Sequence, residues 1–118
     1  MALLREYKEI AYQWGIWKTE ESPEELLALL PDPERYEQQL TLFSSPHRKL
    51  EWLSVRVLLY QLLGEEKTIE YAPSGKPHLA DSSYFISISH TRGYVAVILS
   101  PVSEVGIDIE QYGQRDSV

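Results

Sequence analysis

The sequence contains no cysteine. This absence excludes a disulfide framework, a thiolate nucleophile and a zinc site with thiolate ligands. No apolar run reaches the roughly 18 residues that a membrane-spanning helix needs. Residues 1–6 also lack the basic region and the long apolar stretch of a signal peptide. From these absences we expect a cytoplasmic protein without a membrane partner.

Basic residues are scarce, since 11 Lys and Arg stand against 18 Asp and Glu, which gives a net charge of −7. A general nucleic-acid-binding protein needs a basic surface, so we expect no nucleic-acid partner. The charge balance does not exclude a small anionic ligand. With 118 residues, of which 43% are apolar and 25% charged, the chain has the size and composition of one globular domain.

The order of elements along the chain predicts an α+β fold, with a mostly antiparallel sheet covered on one face by one long helix and shorter helices. The long helix is indicated by apolar residues that recur every three or four positions from Leu50 onward, and Gly64 is its expected C-cap. In chain order, the sequence predicts a strand at 10–17, helices at 22–30, 33–42 and 47–63, and strands at 68–71, 78–79, 84–89, 94–99 and 105–110.

Two carboxylates near the end of the chain are its strongest chemical signal. Asp108 and Glu110 should point to the same face of a strand, while Val105, Ile107 and Ile109 should face a core. Two like charges on one face repel unless a cation separates them, and Mg²⁺ completes its coordination with water and phosphate oxygens. The pair predicts a magnesium site with a phosphate ligand and a further acid. A solvated face of an edge strand is the alternative interpretation.

His90 follows a predicted strand and lies in a small polar cluster with Ser87, Ser89 and Thr91. A histidine in this place can bind a phosphate oxygen or take part in proton transfer, and a purely structural hydrogen bond is the alternative. A nucleophile–base pair of Ser89 and His90 is disfavoured because adjacent strand residues point to opposite faces. In addition, no acid is placed in the sequence to orient the imidazole.

Basic residues also occur where an anion could bind. Arg48 and Lys49 lie near the N-terminus of the long helix, where the helix dipole favours an anion, although a solvated basic turn balancing Glu51 explains them equally well. The segment Gly75-Lys76-Pro77 has turn chemistry. It can present backbone groups to a base and an ammonium to a phosphate, or it is an ordinary turn.

Four segments together resemble the 4′-phosphopantetheinyl transferases of the larger, surfactin-synthetase-activating type. That family moves the phosphopantetheine arm of coenzyme A onto a serine of an acyl or peptidyl carrier protein and releases adenosine 3′,5′-bisphosphate. The four segments are 47–56 (HRKLEWLSVR), 75–79 (GKPHL), 86–91 (ISISHT) and 105–110 (VGIDIE).

The resemblance implies a role for each candidate site residue. His90, Asp108 and Glu110 would form the catalytic group, with the two carboxylates holding Mg²⁺ on the pyrophosphate. The coenzyme A site would comprise Arg48 at the 3′-phosphate, Gly75, Lys76 and Pro77 at the adenine, and Ser89 and His90 at the phosphates.

The chain departs from this family in one large respect. Members of the larger type join two similar halves, and the second half carries a further glutamate ligand and a Trp-x-x-Lys-Glu-Ala-x-x-Lys pattern that is absent here. We therefore expect residues 1–110 to form the N-terminal half of the pseudo-twofold fold and residues 111–118 to begin a linker. We expect weak or no transferase activity from the chain alone, and weak self-association through the face meant for the missing half.

Two functions of other classes remain open from the sequence. One is a non-catalytic α+β interaction domain, in which the acidic residues and His90 are surface features. The other is metal-dependent hydrolysis of a phosphate ester.

Overall fold

The structure, a computed structural model, describes residues 3–8 and 12–109. These residues form an α+β fold, which confirms the predicted class. The elements are, in chain order, β1 (Leu3–Lys8), β2 (Gln13–Lys18), α1 (Pro23–Ala28), α2 (Glu34–Leu40), α3 (Pro46–Leu63), β3 (Ile69–Tyr71), β4 (Pro77–Leu79), β5 (Phe85–Thr91) and β6 (Tyr94–Ser100).

The main sheet has the strand order β1-β2-β6-β5, and all of its neighbouring strands are antiparallel. β5 and β6 form the predicted hairpin, while β3 and β4 pair separately as a short hairpin. The first predicted strand is observed as β2, and its predicted residues 10 and 11 lie outside the described residues. β1 was not predicted, because charged residues interrupt the apolar alternation of its sequence, LLREYK.

The three predicted helices are present among the described residues, and the N-termini of α1 and α3 have serine caps, whereas α2 has no side-chain cap. Ser22 and Glu25 form a reciprocal capping box at the start of α1. Ser45 caps α3, and Pro46 is the first residue of this helix. α3 ends at Gly64, whose φ of 74° places it in the left-handed region that glycine adopts without a steric penalty.

The hydrophobic core lies between the main sheet and the helices. α3 contacts β2, β6 and α1, which explains why its apolar residues cover so much of its circumference. Trp17 of β2 and Leu53 and Leu58 of α3 are completely buried. Complete burial of one such leucine contributes about 2 kcal/mol to stability. No helix in the described part of the chain is long and apolar enough to span a membrane.

The segment 105–109 is not the β-strand that the sequence predicts. It runs alongside the edge strand β5 in the same direction, because the backbone N–H of Ile107 donates to Ser87 Oγ (3.3 Å) and that of Ile109 donates to Ser89 Oγ (3.2 Å). Serine hydroxyls thus take the place of main-chain carbonyls, and no β-ladder forms here.

The burial of this segment still alternates. Asp108 is exposed, whereas Val105, Ile107 and Ile109 are half-buried. The predicted alternation is therefore present, but the prediction that the three apolar residues enter a core was wrong. Glu110 and the predicted linker at 111–118 lie outside the described residues.

Candidate functional site

A cavity of about 420 Å³ lies between α3, the β3–β4 hairpin and the end of β5. Its volume is in the range of small-molecule binding sites. Residues of all three elements line it, among them Arg48, Glu51, Trp52 and Arg56 of α3, Tyr71 of β3, Gly75 and Pro77 of the hairpin, and Ile88 and His90 of β5.

Arg48 lies in the first turn of α3, at the edge of this cavity. Its backbone N–H donates to the Ser45 hydroxyl (3.4 Å), and its exposed guanidinium lies 5.8 Å from the centre of the Phe43 ring. The positive end of the helix dipole adds to the charge of the side chain. This corner of the cavity therefore favours an anion.

Arg56 is the buried cation of the cavity, with only 7% of its surface exposed. It donates to the carbonyl oxygen of Trp52 (3.3 Å) and to the Tyr71 hydroxyl (3.5 Å), and its guanidinium lies 4.0 Å above the Trp52 ring. No carboxylate within residues 3–8 and 12–109 pairs with it, and burial lowers the pKa of Arg56. A guanidinium surrounded by neutral partners retains its attraction for an anion.

Arg56 was not among the predicted site residues, although a usable signal was present in the sequence. Residues 48, 52 and 56 are four apart, so they share one face of α3. Both arginines of that face line the cavity, together with the tryptophan between them.

His90 faces the cavity beside an acid that the sequence did not reveal. Its Nδ1 lies 3.2 Å from Oε2 of Glu51, and the same oxygen lies 3.0 Å from Nε2 of His47. The statement that no acid is placed to orient the imidazole was therefore wrong. Glu51 reaches His90 because α3 packs across β2 and β6, and β5 is the strand next to β6 in the sheet. No sequence spacing records that contact.

Ser89 and Asp108 lie together, but outside the cavity lining. Ser89 Oγ donates to Asp108 Oδ1 (3.1 Å) and accepts from the backbone N–H of Ile109 (3.2 Å). Ser89 and His90 are neighbours on β5 and point to opposite sides of the strand. The nucleophile–base alternative therefore has no geometric support.

The described residues provide only part of a metal site. They contain no cluster of three or more His, Asp or Glu side chains that could hold a metal ion. Asp108 is exposed, and one of its oxygens is held by Ser89. Such a carboxylate fits Mg²⁺, which keeps several waters and takes the rest of its ligands from one or two carboxylates and substrate phosphates.

The predicted turn at 75–77 divides its residues between two cavities. Gly75 has a φ of 92°, a left-handed conformation that suits glycine, and its N–H donates to the carbonyl oxygen of Ala72 (2.7 Å). Gly75 and Pro77 line the cavity described above. The Lys76 ammonium instead pairs with Glu104, and both residues line a second cavity of about 360 Å³.

The structure thus brings Arg48, Gly75, Pro77 and His90 to one cavity. It places Lys76, Ser89 and Asp108 outside the lining of that cavity.

Comparison with known proteins gives partial matches to one kind of enzyme, and no family model matches the chain. The 4′-phosphopantetheinyl transferase AcpT of Salmonella typhi is 37% identical over 71 residues, which cover 59% of this chain and 37% of that protein. The protein of the same name from Escherichia coli (strain K12) is 38% identical over 64 residues, which cover 53% of this chain and 33% of that protein.

The matched region is about a third of the length of these curated relatives. The identity of these relatives supports the resemblance to the 4′-phosphopantetheinyl transferase superfamily, and thus to a family of transferases.

Proposed function

We propose that this chain is the coenzyme A-binding, N-terminal half of a 4′-phosphopantetheinyl transferase of the larger, two-half type. The observation that carries the proposal is the cavity in which Arg48, Arg56 and His90 meet. The chain as a whole is acidic. Two guanidinium groups and an imidazole nevertheless meet around this one cavity, and they form a local site for an anion.

The chemistry of coenzyme A matches this cavity. It carries a 3′-phosphate and a pyrophosphate, and charge-assisted contacts from arginine to phosphate are among the strongest hydrogen bonds in proteins. Arg48 at the helix N-terminus and buried Arg56 supply such donors. Gly75 and Pro77 line one side of the cavity with little side-chain bulk, and a flat base can pack against them.

The proposed Mg²⁺ site is at Asp108, outside the lining of this cavity and on the side of β5 that Ser89 faces. Asp108 and Glu110 would hold the ion, and when bound it would neutralise charge on the pyrophosphate. Ser89 fixes the Asp108 carboxylate to β5, the strand that also carries His90 into the cavity. β5 would therefore position both the cation ligand Asp108, through Ser89, and the phosphate contact His90.

The transfer would join the serine oxygen of a carrier protein to the phosphorus of the phosphopantetheine arm. The phosphorus–oxygen bond to adenosine 3′,5′-bisphosphate breaks, and the serine loses its proton. Positioning and charge neutralisation account for most catalysis of this kind. In this proposal the base and the further glutamate ligand belong to the second half, so the 118-residue chain alone has weak or no activity.

The proposed partners follow from the same assignment. They are coenzyme A, an acyl or peptidyl carrier protein and, for the isolated chain, a second copy through the face meant for the second half. A cytoplasmic location agrees with these substrates.

Calorimetric titration of the 118-residue chain with coenzyme A, in Mg²⁺ and in EDTA, tests this function. We expect binding that Mg²⁺ strengthens, with Asp108→Ala losing only the Mg²⁺-dependent part. Absence of binding under both conditions would favour a non-catalytic interaction domain. Release of product from coenzyme A without a carrier protein would instead indicate hydrolysis of a phosphate ester.

A further inference from the structure

The contact between α3 and β5 joins a carboxylate to the imidazole of the cavity. Glu51 lies one turn after Arg48 on α3, and only 19% of its side chain is exposed. Its Oε2 lies 3.2 Å from Nδ1 of His90. We propose that Glu51 is a positioning residue, which accepts a hydrogen bond from Nδ1–H of His90 and so fixes the ring, with Nε2 directed at the cavity, where it donates to a phosphate once it is protonated. The identity of that ligand rests on the proposed function.

The chemistry of the two groups determines which nitrogen carries the proton. A carboxylate oxygen only accepts hydrogen bonds, so a bare lone pair on Nδ1 would be repelled at this distance. Nδ1 therefore carries a hydrogen whether the ring is neutral or protonated, and Nε2 faces the ligand. A phosphate oxygen only accepts hydrogen bonds, so Nε2 donates to it only in the protonated ring, whose charge the Glu51 carboxylate stabilises. Among the described residues Nε2 has no hydrogen-bond partner, while the ring lines the cavity. Fixing one ring nitrogen in order to define the other is a common use of a carboxylate beside histidine.

A carboxylate in an anion-binding cavity also carries a cost, because it repels a phosphate. Two cations of the cavity oppose that cost. Arg48 and Arg56 line the same cavity. On the other side of Glu51, His47 places Nε2 3.0 Å from Oε2. One carboxylate oxygen of Glu51 therefore contacts two imidazoles. In this proposal the orientation that Glu51 gives to His90 favours phosphate binding more than the charge of Glu51 opposes it.

His47 provides a matched control. It contacts the same carboxylate oxygen, but it lines a neighbouring cleft with Thr19 and Tyr94, outside the lining of the cavity. A change at His47 removes one contact of the Glu51 carboxylate but keeps its contact with His90. If Glu51 acts through His90, His47→Gln should therefore have little effect on either readout below.

The experiment combines two measurements on the 118-residue chain and on Glu51→Gln. The ¹⁵N shifts of the His90 imidazole report its tautomer without any ligand, and calorimetry reports the affinity for coenzyme A. We expect His90 to change from a fixed Nδ1–H form to a mixture of tautomers in Glu51→Gln. We also expect the affinity to fall about tenfold, as loss of a hydrogen bond to a charged group predicts.

Glu51→Asp gives a second variant that keeps the charge and withdraws it by one methylene. It should show the same change in the tautomer, and it serves in place of Glu51→Gln if that variant does not fold. An unchanged tautomer in the folded variant overturns the proposal. So does a changed tautomer with unchanged affinity, or an affinity that rises because a repulsive carboxylate has gone.

The two proposals fail in different ways. If the unaltered chain does not bind coenzyme A, the proposed function fails, while the ligand-free imidazole spectra still decide whether Glu51 sets the tautomer of His90.

Discussion

Ser89 Oγ donates a hydrogen bond to Asp108 Oδ1 across 3.1 Å and at the same time accepts one from the backbone N–H of Ile109. One short side chain therefore ties both a carboxylate and the backbone beside it to the edge of the sheet. This contact connects the candidate cation ligand to β5, whose next residue, His90, lines the cavity.

Replacement of Ser89 by alanine should loosen this connection. We expect Ser89→Ala to lower stability by about 1 kcal/mol, because two hydrogen bonds to one partly buried hydroxyl are lost. We also expect it to reduce the strengthening of coenzyme A binding by Mg²⁺, measured by titration in Mg²⁺ and in EDTA.

Ser87→Ala is the matched control for this prediction. Ser87 Oγ accepts from the backbone N–H of Ile107 (3.3 Å), one pleat earlier on the same face of β5. It should cost similar stability and leave the Mg²⁺ effect intact. Equal loss of the Mg²⁺ effect in both variants would contradict a specific role for the contact between Ser89 and Asp108.

Arg56→Met should separate stability from binding. The change removes a buried charge together with two long hydrogen bonds and the stacking on Trp52, while roughly preserving volume. Because burial of the charge is itself costly, we expect the free energy of unfolding to stay within about 1 kcal/mol of the original. We expect the affinity for coenzyme A to fall about tenfold, as loss of a charged hydrogen-bond donor predicts. Unchanged affinity would show that Arg56 serves the fold alone.

The Lys76–Glu104 pair should limit what Lys76 contributes to binding. Both side chains are more than half exposed, so the pair is worth at most about 1 kcal/mol of stability. We expect Glu104→Gln to release the ammonium and to raise the affinity for coenzyme A by about twofold, and Lys76→Ala to lower it, both measured by calorimetry. Equal affinity in all three proteins would place Lys76 outside the binding site.

The buried hydroxyl of Tyr36 should make the free energy of unfolding depend on pH. It is buried and donates to Glu66 Oε2 (2.7 Å). Burial raises the pKa of Tyr36 most, followed by the hydrogen bond to Glu66 and then by the charge of Glu66. Since the folded pKa lies above the unfolded one, this contribution is complete below about pH 10 and declines as the pH rises and the unfolded chain ionises.

Tyr36→Phe isolates this effect, because other tyrosines also titrate at high pH. We expect the variant to be less stable by about 1 kcal/mol at pH 7. The difference from the unaltered chain should shrink above about pH 10, as followed by denaturant unfolding at each pH. A difference that stays constant up to pH 11 would contradict the assigned cause.

Features encoded locally could be predicted from the sequence. The start of α1 at Ser22 and the end of α3 at Gly64 depend on side chains and dihedral angles within a few residues, so their sequence signals were sufficient. The alternation around Asp108 was predictable for the same reason. The strand predicted there is absent, because Ser87 and Ser89 satisfy the backbone of this segment with side-chain oxygens.

Contacts made by packing could not be predicted in this way. The carboxylate of Glu51 meets His90 only when α3 packs across the sheet, and the pairing of Lys76 with Glu104 depends on where the loop after β6 lies. The four-residue spacing of Arg48, Trp52 and Arg56 was visible in the sequence. Its meaning required the cavity that their common face lines.

The central claim is that the cavity between α3, the β3–β4 hairpin and β5 binds coenzyme A. Titration of the ¹⁵N-labelled 118-residue chain with coenzyme A, followed by amide chemical shifts, tests this claim most directly. We predict saturable shifts concentrated at Arg48, Arg56, Gly75 and His90, with shifts at Asp108 only when Mg²⁺ is present. An absence of shifts, or shifts confined to residues remote from the cavity, would contradict the claim.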